Sequence, residues 1–188
     1  MVLSFFFFFV FIRRRRHRVF MLDFTCFKPH PSENLSVSLA EIEQRLIATG
    51  MFSKESLDFQ RKVLERSGLG DETFAPPALL RSYPKPDMTM RGSRMEAEMV
   101  LFGAIDDLLE RTGVQAEQID VLVVNCGLFA PTPSLCSVVV NRYAMRADIR
   151  AFNLSGMGCS AGVVATDLAR RVLNVREGAL ALVITMEN

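Results

Sequence analysis

Asn153-Leu-Ser-Gly-Met-Gly-Cys-Ser-Ala-Gly162 is the stretch that decides the fold of this chain. Ahead of it, residues 149–152 predict a short apolar strand, and behind it residues 163–173 predict a helix. The glycines within the stretch lack the Cβ atoms that would obstruct a sharp turn. We therefore expect a strand, a tight turn and a helix, with Cys159 at the tip of the turn. The inner side of that helix is expected to carry its apolar side chains, namely Val163, Val164, Leu168, Val172 and Leu173.

The predicted position of Cys159 gives its thiol a chemical role. Unpaired N–H groups and the positive end of the helix dipole favour a thiolate at such a place. A thiolate there can attack a carbonyl, and neighbouring N–H groups can hold the oxyanion that forms. The pattern predicts Cys159 as a catalytic nucleophile.

Two other interpretations fit the same ten residues. Gly158-Cys-Ser-Ala-Gly162 also spells the G-x-S-x-G elbow of α/β-hydrolases, which would make Ser160 the nucleophile. That triad needs a later histidine, whereas the chain has only His17 and His30, both upstream. Alternatively, Cys159 is a small buried residue at a strand–helix junction, because free cysteine is often buried.

Several separated motifs, in one order, resemble the plant 3-ketoacyl-CoA synthases, the condensing enzymes of very-long-chain fatty acid elongation. The resemblance runs from about residue 19 to the end of the chain. The motifs are Leu22-Asp-Phe-Thr-Cys-Phe-Lys-Pro29, Arg66-Ser-Gly-Leu-Gly-Asp-Glu-Thr-Phe74 with Pro76-Pro77, Pro131-Thr-Pro-Ser134, Phe152-Asn-Leu-Ser-Gly-Met-Gly-Cys-Ser-Ala-Gly162 and Ala181-Leu-Val-Ile-Thr-Met-Glu-Asn188. Ser155 and Ala130 depart from the family, which usually has glycine and often asparagine there.

The resemblance implies an α/β thiolase-type fold and a catalytic cysteine at Cys159. It implies acyl-CoA and malonyl-CoA as substrates, no bound cofactor or metal, and a homodimer. It also implies a histidine and an asparagine beyond Asn188, so we expect that this chain cannot complete the condensation unaided.

The chain's length fits one half of that two-part fold. Its 188 residues are 49% apolar, which is enough for one substantial core. The last apolar run, residues 179–185, is typical of a buried central strand, yet it lies three residues before the end. We expect an incomplete N-terminal catalytic half over residues 38–188, preceded by a linker over 19–37 and a membrane-proximal segment over 1–18.

Charge and cysteine spacing exclude several classes of function. The net charge of +1 conceals arginines at 13–16 and 18, without which the chain is mildly acidic, so no broad basic face for nucleic acid is expected. Cys26, Cys126, Cys136 and Cys159 show no C-x-x-C pair, which argues against structural zinc. We interpret Cys26 as structural, Cys126 as a core or pocket-wall residue and Cys136 as packing. No Gly-rich phosphate-binding loop follows a strand, so nucleotide chemistry is not expected.

The N-terminus predicts a membrane contact. Residues 2–12 are apolar, but as a helix they would extend roughly 16 Å, against about 30 Å for a bilayer core. They fit a truncated transmembrane helix or an interfacial segment, with the arginines attracted to anionic head groups. The resemblance implies the endoplasmic reticulum membrane with the catalytic part facing the cytosol. A nuclear-localisation or polyanion-binding patch is the alternative for the arginine run.

Capping signals mark the remaining helices. Ser38–Glu41 and Ser93–Glu96 read as capping boxes that open helices, and a helix is expected over residues 54–66. The prolines between residues 67 and 91 predict an irregular loop. A buried strand over 119–124 and a helix over 133–144 complete an alternation that is typical of a largely parallel sheet.

Four functions remain open on the sequence alone. The preferred hypothesis is a 3-ketoacyl-CoA synthase that works through an acyl-cysteine intermediate. A catalytically silent acyl-binding or dimerising remnant of that family is the second. A soluble chalcone-synthase-like enzyme is the third, disfavoured by the N-terminus and by Cys26-Phe-Lys-Pro29. The fourth is an incomplete gene product that does not fold.

Overall fold

The structure is a computed structural model that describes residues 18–81 and 84–188. Two compact units divide the chain. The sheet unit contains residues 104–188 and the described residues up to Thr25, and the helical unit contains Cys26–Gly103. The boundaries predicted at residues 18 and 37 stay a prediction.

The elements follow one another in the order of the chain. They are β1 (Ser36–Val37), α1 (Leu39–Ala48), α2 (Lys54–Arg66), β2 (Thr73–Phe74), α3 (Pro77–Leu80), α4 (Met90–Thr112), β3 (Ile119–Cys126), α5 (Leu135–Arg142), β4 (Arg150–Leu154), α6 (Ala161–Leu173) and β5 (Leu180–Met186). Short 3₁₀ turns lie at Pro31–Glu33, Ala116–Gln118 and Gly158–Ser160.

A parallel sheet forms the centre of the sheet unit. Its strands lie in the order β4-β3-β5, and both outer strands run parallel to β3. Parallel strands need crossover connections, which α5 and α6 supply. The α/β class and the parallel sheet predicted from the alternation of elements are confirmed.

One face of the sheet is packed by α6. Val121 and Val123 of β3 form a buried cluster with Ala165 and Ala169 of α6. Because the alanines are small, the helix lies close to the sheet, and a Cβ added at Gly162 would come within 3.3 Å of a Thr185 methyl group.

The predicted inner side of α6 is partly wrong. Leu168 and Val172 pack against the buried cluster as expected, but Val163 and Val164 are exposed. Val163 and Val172 are nine positions apart, which at about 100° per residue places them on opposite sides of a helix. The buried stripe is instead the alanine series Ala161, Ala165 and Ala169.

The opposite face of the sheet is packed by α5. Its Cys136 N–H donates to Asn153 Oδ1 of β4 (3.3 Å), and the Cys136 thiol donates to the Phe152 carbonyl (3.2 Å). Cys136 is buried and so is Cys126. The packing role predicted for Cys136 is therefore confirmed, and Cys126 belongs to the core.

The helical unit confirms one predicted cap and contradicts the other. Ser38 and Glu41 form the expected capping box at the start of α1. Ser93, by contrast, lies inside α4, which begins at Met90. Thr89 has the capping role, since its hydroxyl accepts from Gly92 N–H (3.1 Å) and its carbonyl accepts from Ser93 N–H (3.1 Å).

The predicted irregular loop over residues 67–91 contains regular structure. Strand β2 pairs antiparallel with β1, and α3 begins with Pro77 at its first position. Proline fits there because the first N–H of a helix has no intrahelical partner. Pro77 therefore marks a helix start, whereas Pro84 and Pro86 lie outside regular elements as expected.

The predicted N-terminal anchor lies mostly outside the described residues. Residues 2–12 and the first arginines fall within residues 1–17. Within the described part of the chain, none of the helices combines the length and the apolar character that a membrane crossing requires.

Candidate functional site at the carboxyl edge of the sheet

The carboxyl ends of the three parallel strands meet at one edge of the sheet, where α/β proteins commonly place their sites. Hydrogen bonds join the loops that leave this edge. Gly127, after β3, donates its N–H to the Glu187 carboxylate beyond β5 (3.0 Å). The Gly127 carbonyl accepts from Gly156 N–H beyond β4 (3.0 Å). The loop that leads to Cys159 is thus bonded to the loop after β3, and through Gly127 it is linked to the end of β5.

The turn after β4 has the sharp geometry that its glycines predict. Gly156 and Gly158 adopt left-handed φ values of +71° and +60°, a region that residues with a Cβ rarely enter. The chain then makes the 3₁₀ turn Gly158–Ser160 and enters α6 at Ala161 without a break. The expected strand, turn and helix are confirmed.

Cys159 lies in this turn and is exposed. Directly after it, α6 begins with no side chain capping its first turn, as far as the described residues show. The Ala161 N–H already donates to the Gly158 carbonyl, so the backbone donors for a developing negative charge are those of the turn Gly158–Ser160 itself. The interpretation of Cys159 as a buried junction residue is therefore wrong.

An open depression of about 540 Å³ lies beside the thiol. Its lining residues are Cys159, Gly162, Val163, Thr166, Asp167, Arg170 and Thr185. Asp167 accepts hydrogen bonds from the Arg171 and Arg170 guanidinium groups (2.5 and 2.7 Å). These bonds lower the pKa of the Asp167 carboxyl, so the polar side of the depression holds a paired carboxylate. Because the depression is open and Cys159 is exposed, reagents can reach the sulfur.

Ser160, the competing candidate for the nucleophile, forms a local hydrogen bond. Ser160 Oγ donates to the Met157 carbonyl (2.9 Å). His30 Nδ1 lies 2.8 Å from Ser32 Oγ, and His17 lies outside the described residues. The described chain thus pairs Ser160 with a carbonyl, which cannot act as its base.

The sequence and the fold were compared with known proteins. The profile of the family described as FAE1/Type III polyketide synthase-like protein matches residues 10–188. The chain belongs to this family.

Curated members of the FAE1/type III polyketide synthase-like family are closely similar in sequence. 3-Ketoacyl-CoA synthase 2 of Arabidopsis thaliana is 49% identical over 171 residues, which cover 91% of this chain and 32% of that protein. 3-Ketoacyl-CoA synthase 11 of the same plant is 48% identical over 170 residues, or 90% of this chain and 33% of that protein. The chain spans about a third of the length of these relatives. The resemblance stated from the motifs is confirmed.

Solved structures of the family establish the fold. PKS-I from the brown alga Ectocarpus siliculosus matches with a TM-score of 0.60 at 19% identity, covering 77% of this chain and 42% of that one. The type III polyketide synthase domain of Steely1 from Dictyostelium matches with a TM-score of 0.54 at 16% identity, covering 78% and 42%. CsyB, solved with CoA-SH, has a TM-score of 0.50 at 20% identity, with coverages of 78% and 42%. The thiolase-type fold predicted from the sequence is confirmed.

The other cysteines of this family member differ from Cys159. Burial raises the pKa of the Cys136 thiol to about 11. Cys126 Sγ lies 4.0 Å from a Glu187 carboxylate oxygen but is almost fully buried. Cys26 is exposed but belongs to the helical unit. Of the cysteines in the sheet unit, only Cys159 combines exposure with a helix start.

Two residues at this edge escaped the sequence analysis. Glu187 ties the loop after β3 to the end of β5, and Asn125 is the buried polar residue of the central strand. Each of these polar residues follows an apolar run in the sequence. Which residues they face, however, depends on the register between strands, which the sequence alone does not give. Across residues 18–81 and 84–188, no cluster of His, Cys, Asp and Glu is arranged to hold a metal ion.

Proposed function

We propose that Cys159 takes a long acyl group from acyl-CoA, as the first half-reaction of a 3-ketoacyl-CoA synthase. The observation that carries this proposal is an exposed thiol at an uncapped helix start. Membership of the family, and close similarity to 3-ketoacyl-CoA synthases, support the same chemistry.

The proposed acyl transfer uses groups at the carboxyl edge of the sheet. The Cys159 thiolate attacks the thioester carbonyl of acyl-CoA and forms a tetrahedral oxyanion. The backbone N–H groups of the turn Gly158–Ser160 stabilise that oxyanion. Collapse expels the CoA thiolate, which takes up a proton from solvent, and leaves the acyl group on Cys159 as a new thioester.

The proposed condensation follows on the acylated cysteine. Malonyl-CoA loses carbon dioxide, and the resulting enolate attacks the acyl carbonyl. The Cys159 thiolate leaves, and the product is a 3-ketoacyl-CoA two carbons longer. The acyl and malonyl thioesters are substrates, and the proposal includes no resident cofactor or metal. A histidine and an asparagine for this step remain an expectation from the family resemblance.

The proposed setting is the cytosolic face of the endoplasmic reticulum membrane, in very-long-chain fatty acid elongation. The apolar run over residues 2–12 and the adjoining arginines support a membrane surface as partner. We also propose that the protein acts as a homodimer and that it does not bind nucleic acid.

Release of CoA tests the proposed acyl transfer. Purified chain is mixed with excess long-chain acyl-CoA, and free CoA is titrated with a thiol reagent in a quenched time course. We expect a burst approaching one equivalent of CoA per chain, which Cys159→Ser abolishes and Ser160→Ala retains. A wild-type chain without a burst, or a burst that survives Cys159→Ser, contradicts the assignment.

Malonyl-CoA consumption separates the synthase from a silent remnant. A synthase built on this sequence is expected to release carbon dioxide and form the ketoacyl product in the presence of both thioesters. Acylation without either product would instead favour the acyl-binding remnant.

A further inference from the structure

Asn125 is an anomaly in the core of the sheet unit. It lies near the carboxyl end of β3 with only 4% of its surface exposed. Its carboxamide Oδ1 is buried and has no hydrogen-bond partner among the described residues. Buried polar groups are nearly always paired, and leaving one unpaired lowers stability. A polar residue at this position needs an explanation, since an apolar residue of the same size would pack here without leaving a buried hydrogen-bond acceptor unpaired.

The strand register shows which face of the sheet Asn125 occupies. Side chains alternate along a strand, so Asn125 shares the face of Val121 and Val123, which pack against α6. Its register partner on β5 is Thr185. A Thr185 methyl group lies 3.3 Å from the position of a Cβ on Gly162 in the first turn of α6. Asn125 therefore lies on the side of the sheet that carries the start of this helix.

That side of the sheet also carries the depression beside the thiol. Thr185 and Gly162 line the depression together with Cys159. The other register partner of Asn125, Leu154, ends β4 immediately before the turn that leads to the cysteine. Asn125 thus lies between the strand residue that leads into the Cys159 turn and the strand residue that lines the depression.

We propose that Asn125 is a positioning residue for Cys159, whose carboxamide oxygen accepts a hydrogen bond, through one buried water molecule, from the backbone of the turn Gly158–Ser160. This role rests on the acyl transfer proposed above. Asn125 does not touch the acyl group. It limits the orientations of the turn, so that the sulfur and the oxyanion donors keep one relative geometry. Positioning of that kind acts on the rate of acyl transfer, which demands a defined geometry.

Asn153 supplies a matched control. It is also an asparagine of the parallel sheet, on the neighbouring strand β4, but its Oδ1 accepts from Cys136 N–H (3.3 Å) on the α5 side. Asn153→Leu removes a partnered acceptor, and so we expect it to lower the melting temperature. Asn125→Leu removes an acceptor without a direct protein partner among the described residues, and so we expect a smaller fall in the melting temperature than for Asn153→Leu.

The test compares two reactions of the same thiol. Burst release of CoA from long-chain acyl-CoA reports geometry, and alkylation of Cys159 by iodoacetamide, mapped by mass spectrometry, reports access and thiolate content. For Asn125→Leu we expect acyl transfer to fall at least tenfold, while alkylation stays within twofold of wild type. For Asn153→Leu we expect both rates to stay within twofold. A purely structural role of Asn125 predicts a lower melting temperature for Asn125→Leu with acyl transfer within twofold of wild type, and that result overturns the proposal.

A second pair of variants tests the proposal if Asn125→Leu does not fold. Asn125→Thr and Asn125→Val have nearly the same shape and differ in one oxygen acceptor. We expect acyl transfer to be at least fivefold faster in the threonine variant, and equal rates overturn the proposal. Loss of folding in all three variants assigns Asn125 a structural role and also overturns it. A wild-type chain that releases no CoA rejects the proposed function itself, whereas equal bursts in wild type and Asn125→Leu reject only the role of Asn125.

Discussion

Cys136 and Cys159 stand at comparable places in the sheet unit and have opposite surroundings. Each lies close to the start of a helix that follows a parallel strand. Cys136 is buried in the first turn of α5 and donates its thiol to the Phe152 carbonyl. Cys159 lies just before α6, exposed beside an open depression.

The difference shows that a helix start alone does not make a cysteine reactive. At Cys136 burial dominates, and the pKa of the thiol rises to about 11. Desolvation disfavours the charged form wherever water is excluded, whatever the direction of the helix dipole. At Cys159 the glycine turn carries the sulfur out of the core. Access to solvent is therefore the property that separates the proposed nucleophile from a packing residue.

The largest expected effect is in alkylation of the two thiols. At pH 8 a thiol with a pKa of about 11 is only about 0.1% thiolate, and Cys136 is also only 3% exposed. We expect iodoacetamide to label Cys159 at least 100-fold faster than Cys136, as read by peptide mapping over a time course. Equal rates at the two positions would remove the basis of the comparison. Cys159→Ser is the control, and it should abolish the label on that peptide while leaving the slow label on Cys136 unchanged.

Distorting the glycine turn should have the next largest effect. Gly158 adopts a φ of +60° and nothing lies within 4 Å of a Cβ built on it, so Gly158→Ala adds backbone strain without a clash. The left-handed conformation costs a residue with a Cβ about 1–2 kcal/mol. We expect Gly158→Ala to lower the unfolding free energy by about 1 kcal/mol and to slow the CoA burst by about tenfold.

Gly178→Ala is the matched control for the turn. Gly178 has a φ of +73° and equally open surroundings, but it precedes β5. We expect the same loss of stability in denaturant titrations and an unchanged burst. If both variants slow the burst equally, the effect comes from stability and not from the geometry of the Cys159 turn.

The sequence was sufficient for the turn because its chemistry is local. Glycines at 156 and 158 are required by positive φ values, and the apolar runs on either side predict the strand and the helix. The Ser38–Glu41 capping box could be predicted for the same reason, since both of its hydrogen bonds lie within one helical turn.

The rest depends on contacts between distant segments. The Gly127–Glu187 bond joins residues 60 positions apart, and the place of Asn125 between Leu154 and Thr185 follows from strand register. The exposure of Val163, at 76%, also escaped prediction. Hydrophobicity favours valine in a core, but a helix that approaches a sheet closely selects alanine. Ser93 failed as a cap because Thr89 supplies the same chemistry earlier in the chain.

A moderate effect is expected in the pH dependence of the unfolding free energy, which reports the contribution of the Cys136 thiol. Its pKa is raised to about 11 in the folded chain from an ordinary value of 9.0. The folded state therefore holds this proton more tightly than the unfolded state. The resulting stabilisation is complete below about pH 9 and is lost as the pH rises from about 9 to about 11.

Urea titrations of wild type and Cys136→Ala at pH 8 and pH 10.5 measure this loss. We expect the unfolding free energy of wild type to fall more steeply between the two pH values than that of the variant. Parallel decreases in the two proteins would show that Cys136 does not hold its proton through burial. Tyr143 has a raised pKa from burial and its bond to Asp106, but it is present in both proteins and cancels in the comparison.

The smallest effect is expected at Ser160. Its hydroxyl is exposed and donates only to the Met157 carbonyl, so Ser160→Ala removes one solvent-accessible bond. We expect the melting temperature and the CoA burst to stay close to wild type, with the burst rate within twofold. A variant that loses the burst would revive the serine-nucleophile interpretation of Gly158-Cys-Ser-Ala-Gly162.

Covalent capture of the acyl group tests the central claim most directly. The chain is incubated with a long-chain acyl-CoA, quenched in acid, digested, and mapped by tandem mass spectrometry. The account predicts one acyl group in thioester linkage on Cys159, absent from Cys159→Ser and released by hydroxylamine. An acyl group on Ser160 or Cys126, or none on Cys159 in a folded chain, would contradict it.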